Sequence, residues 1–132
     1  MLNSAAPGPG VPVRKSLLTD ASTHTILGSL ERRHGAMLRG ERLAVDAWQV
    51  EDAVYANLTL SSPDRTFVYE MEAAMEIPER GVLTRTDILD VCLDFLDWYL
   101  GEYFRAERDV LLPLDFKPHS FGEHQVMARG EL

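Results

Sequence analysis

A chain of 132 residues, 45% of them apolar, is long enough for one domain with a real core. Its net charge of −8 excludes nucleic acid and anionic membrane as main partners, because phosphate affinity rests on Lys and Arg. Its single cysteine, Cys92, excludes an internal disulfide, and its apolar runs are far shorter than the ~20 residues that span a bilayer.

Residues 1–13 are small side chains interrupted by Pro7, Gly8, Pro9, Gly10 and Pro12. Such a segment has little apolar surface to bury, so it reads as a flexible arm ahead of a single domain over residues 14–132. No cationic start followed by an apolar run marks a secretory leader, so a cytoplasmic location is expected. Gly8 and Gly10 do not lie between a strand and a helix and make no phosphate loop.

Thr19, Asp20 and Ser22 are N-cap candidates. Ile26, Leu27, Leu30, His34, Met37 and Leu38 then recur at helical spacing, which predicts a helix over residues 20–38 closed by Gly40. Period two follows. Leu43, Val45 and Ala47, then Val54, Ala56, Leu58 and Leu60, then Phe67, Tyr69, Met71 and Ala73 alternate with more polar neighbours. With turns at Glu51-Asp52 and at Ser61-Ser62-Pro63-Asp64, these runs predict a three-stranded antiparallel meander with one greasy and one mixed face.

Thr84 followed by Asp87 is a capping pattern, and it opens a long helix over residues 84–108. Asp87, Asp90, Asp94 and Asp97 recur at spacings of three, four and three, which puts them on one helix face. Nearly everything between them is apolar, so the helix needs cover on more than one side. Beyond Pro113, residues 114–119 and 125–129 predict a second hairpin, with Pro118 marking an edge strand. Together these elements predict an α+β fold: an antiparallel sheet packed on one face by the long helix and the shorter N-terminal helix.

No catalytic motif emerges. The serines lack a nucleophile-elbow setting, and Asn57-Leu58-Thr59 matches a glycosylation sequon only in mid-strand. Buried inside the apolar helix, Cys92 reads as a small hydrophobe rather than a reactive thiol. His119 and His124 with Asp115 and Glu123 read as a solvated hairpin tip, and His34 as a half-buried structural histidine. The acidic face of Asp87, Asp90, Asp94 and Asp97 has two readings. It can hold Mg²⁺, or it is a solvated stripe answered by a basic surface, for which the helix carrying Arg32 and Arg33 is the natural mate. The second is favoured, and neither a metal nor another cofactor is expected.

The remaining signal is aromatic. Phe95, Trp98, Tyr99 and Tyr103 crowd the second half of the long helix, and Trp98 and Tyr99 flank its apolar arc. Tyr and Trp are enriched where a partner buries a surface, so these four are candidate interface residues. The profile is of a kind found among dimeric adaptors and export chaperones of bacteria. The expected function is non-enzymatic: a homodimer that binds another protein. The alternatives are a small-ligand or metal-binding domain, with hydrolysis as its candidate chemistry and a pocket between sheet and helix using Tyr69, Glu70 or the acidic face, and a structural subunit of a larger assembly.

Overall fold

Two threonines start the two helices in the same way. Thr19 Oγ1 accepts the Ser22 N–H at 3.1 Å, while Ser22 Oγ accepts the Thr19 N–H at 2.8 Å. Thr84 and Asp87 exchange the equivalent bonds at 3.2 and 2.9 Å. Each pair satisfies two donors that a helix start leaves open. In this computed structural model, which describes residues 13–106 and 114–131, helices α1 (Asp20–His34) and α2 (Arg85–Arg105) follow from them. The expected arm lies outside the described residues except for Val13, as do residues 107 and 108 at the expected end of the long helix.

The first helix is shorter than its periodicity predicts. Regular α-helix stops at His34, and Gly35–Met37 form one tighter 3₁₀ turn before the chain turns back through Gly40 at φ 78°. Glycine at 35 lowers helix propensity at the point where the chain must leave the helix for the sheet.

Among the described residues six strands form one antiparallel sheet in the order β1-β2-β3-β4-β6-β5. The meander is β2 (Arg42–Val50), β3 (Ala53–Ser61) and β4 (Val68–Glu76); β5 (Leu114–Phe121) and β6 (His124–Glu131) are the C-terminal hairpin. β1 (Lys15–Ser16) is a two-residue edge strand on β2, joined further by the Leu17 N–H donating to the Ala47 carbonyl. The β2–β3 turn holds Glu51 at φ 52°, and the β5–β6 turn places Gly122 at φ 59°, a conformation glycine adopts without steric cost.

Strand register sorts the side chains. Leu43 and Ala47, then Val54, Ala56, Leu58 and Leu60, then Tyr69, Met71 and Ala73, and finally Val126 and Ala128 form the buried face. Against them α2 sets Ile88, Cys92, Phe95, Leu96, Tyr99, Leu100 and Tyr103. The β6 strand enters beside β4 through one close fit: a Cβ at Gly130 would lie 2.3 Å from Tyr69 Oη, so only glycine leaves room for the ring. This α+β sandwich of sheet and helices is the one the periodicities predict. Among the described residues no helix is long and apolar enough to cross a membrane.

Candidate functional site

The long helix is covered on three sides by its own chain. The sheet takes the first side. Tyr69 stacks on Tyr103 at 4.7 Å, and its hydroxyl meets that of Tyr99 at 3.3 Å. On the second side α1 is tied down by Asp97, whose carboxylate pairs with Arg33 and accepts from His34 Nε2 at 2.6 Å. The third side meets the hairpin: Phe121 lies 5.6 Å from Phe95 and 6.1 Å from Trp98, and His119 lies 5.6 Å from Phe95. Phe95, Tyr99 and Tyr103, three of the four aromatic candidates, are therefore buried inside the single chain. Trp98 is not. It remains 47% exposed.

Beside Trp98 lies a groove whose lining mixes apolar Met37, Phe104 and Phe121 with charged Arg33, Asp94 and Arg105. Gly101 is part of the lining, and a Cβ there would lie 3.5 Å from the His34 ring. Met37 is 46% exposed. Along the solvent stripe of α2 the order is Asp87, Asp90, Asp94, Trp98, Gly101, Arg105. That stripe changes from acidic to basic, with the largest exposed apolar ring and the smallest residue at its middle.

The four acids divide into separate roles. Asp87 is the capping residue, and the Thr84 backbone N–H and hydroxyl hold its carboxyl below the usual carboxylate range. Asp97 is engaged with α1. Asp90 and Asp94 are exposed. Partial burial, and then repulsion from Asp90 and Asp97, raise Asp94, with only Arg33 acting the other way. Among the described residues, then, the carboxylates around Asp94 outweigh the one guanidinium that acts on it. Among the described residues, no three His, Cys, Asp or Glu side chains converge as a metal would need.

Other candidates fall in ordinary surroundings. Tyr69 and Glu70 are adjacent in β4 and so point to opposite faces, Tyr69 into the core and Glu70 to solvent. The space between sheet and α2 is filled by the aromatic and aliphatic core. Cys92 is fully buried, and desolvation pushes its thiol up to about 12. His34 is the half-buried structural histidine its spacing suggests. His119 and His124 belong to the hairpin, but His119 turns inward, where its Nε2 is buried without a hydrogen-bond partner among the described residues; alternation from Phe121 could have signalled that direction. Asn57 Oδ1 accepts from Thr59 Oγ1 at 3.0 Å, in mid-strand. Comparison with protein-family models, with curated proteins and with solved structures finds no match to this chain.

Proposed function

We propose that the chain is a non-enzymatic, protein-binding homodimer of the cytoplasm, joined through the outer face of α2. The observation that carries this reading is Trp98: a large apolar ring left half exposed in the second half of a helix whose other aromatic rings are buried, beside a glycine one turn on. A two-fold axis between positions 98 and 101 sets two copies of α2 antiparallel. Trp98 then lies beside the partner subunit's Gly101, which has no side chain of its own to set against the ring. The same axis sets Asp94 opposite the partner subunit's Arg105. A patch that matches itself under a two-fold is what an isologous dimer requires. The counter-charge across the axis offsets the repulsion that Asp90 and Asp97 exert on Asp94.

Charge exchange tests the register. Asp94→Arg and Arg105→Asp each bring like charges together across the axis and weaken the dimer, whereas the double variant restores opposite charges and recovers the association constant. Sedimentation velocity reads it. Two single variants that associate as tightly as the parent would rule this interface out.

A further inference from the structure

We propose that the open face of the sheet carries a second site, around Trp48 and Tyr55, that recognises an arginine side chain in an extended segment of a partner protein. It rests on the reading of the chain as a protein-binding module but not on dimerisation through α2. Register builds the site. Trp48 on β2 is paired with Tyr55 on β3, and Asp46, Asn57, Glu72 and Arg129 are cross-strand neighbours in one row. All of these alternate with core residues and so point away from α2. The two rings stack at 5.7 Å and 6°, giving a flat aromatic platform in a shallow concavity of about 540 Å³.

The platform already holds a cation. The Arg14 guanidinium carbon lies 3.7 Å from the Trp48 ring centre, within the range where a cation is drawn to an aromatic face. Arg14 immediately precedes β1, whose two residues pair with Trp48 and Gln49. So short a strand is a weak tether that opens locally. The concavity is lined by three carboxylates, Asp46, Glu70 and Glu72, against two guanidiniums, Arg14 and Arg129. Glu72 is answered by Arg129 at 3.5 Å. If Arg14 swings away, three carboxylates face one guanidinium, so the vacated platform favours another cation over a neutral or acidic group. A shallow, open face suits an extended segment, which adds contacts across the strands to the one on the ring. The chain's own arginine is thus a resident competitor, and the overall charge of −8 favours encounter with a basic segment.

The probe is the peptide acetyl-Gly-Arg-Gly-Arg-Gly-amide, titrated into the full chain while the Trp48 indole N–H signal is followed by NMR. That signal is assigned by its persistence in Trp98→Phe. Arg14→Gln removes the competitor and tightens binding roughly two- to fivefold, the worth of one exposed cation–π contact. Trp48→Leu in the Arg14→Gln background abolishes the gain, and the same peptide with Glu in place of Arg leaves the signal unmoved. Glu70→Gln is exposed and outside the core; it weakens binding without touching the rings, so the test stands even if Trp48→Leu loosens the sheet. Equal or weaker binding by Arg14→Gln, undiminished binding by Glu70→Gln, or binding of the acidic peptide overturns the proposal. None of these results bears on the oligomeric state, so failure here and failure of the dimer are distinguishable.

Discussion

Single positions decide how the layers close. Gly130 sits where any Cβ would strike Tyr69 Oη at 2.3 Å and Cζ at 2.8 Å, and the Tyr69 ring cannot yield because it is buried against Tyr103. Gly130→Ala should therefore destabilise the fold by about 1–3 kcal/mol, as overpacking does. Tyr69→Phe in that background removes the nearest atom and should recover part of the loss, measurable as coupling in a double-mutant cycle of urea unfolding. Purely additive effects would mean that the two positions do not share one space.

Cys92 makes a residue-level prediction about alkali. Burial raises its thiol in the folded chain from an ordinary value near 9 to about 12. Above pH 9 the unfolded thiol ionises while the folded one stays protonated, so the unfolded state is favoured as pH rises. The contribution is fully present below pH 9 and is lost on the way to pH 12. Burial raises the hydroxyls of Tyr69 and Tyr99 as well, adding to the fall from about pH 10. Between pH 9 and 10 wild type should lose stability more steeply than Cys92→Ala, by an extra slope approaching about 1.4 kcal/mol per pH unit. Parallel pH profiles would contradict this.

At the scale of elements, one carboxylate ties the helices together. Asp97 is half-buried between α1 and α2, where it accepts from His34. Asp97→Ala leaves the His34 ring nitrogen without that partner in a site only 14% exposed, at a cost of about 1–3 kcal/mol. Arg33 reaches the same carboxylate from a position 62% exposed, so Arg33→Ala should change stability by less than about 1 kcal/mol. Thermal unfolding of both variants separates them; equal losses would mean that the surface ion pair, not the half-buried histidine bond, holds α1.

The elements themselves were legible for physical reasons. Alternation in three successive runs gives the meander, and Thr84 with Asp87 gives the start of α2. The Phe121–His124 turn gives the last hairpin. β1 was not legible, because two residues have no period. Nor was the entry of β6 beside β4, which depends on the fit of Gly130 to a tyrosine some 60 positions away, and no local pattern encodes such a fit. Sequence spacing also put Trp98 and Tyr99 on the two flanks of one apolar arc, with nothing to tell which of them is covered. The sheet buries Tyr99, while Phe121 shields only one side of Trp98. That distinction is made by tertiary packing alone. The Trp48–Tyr55 platform lies on the mixed face that alternation predicts, but the placing of Arg14 upon it depends on β1.

For the whole molecule, the account rests on α2 offering one face to the core and the opposite face, centred on Trp98, to a second copy. An aspartate at position 98 would remove the apolar ring at the centre of that dimer and put a carboxylate where the ring was buried, which is costly, whereas in a single chain it would lie half in water. Light scattering on the eluting protein at micromolar concentration is the direct measurement. The account predicts a mass of twice 14.8 kDa for wild type and 14.8 kDa for a folded Trp98→Asp. A wild-type mass of 14.8 kDa, or a Trp98→Asp variant that keeps the doubled mass, would contradict it.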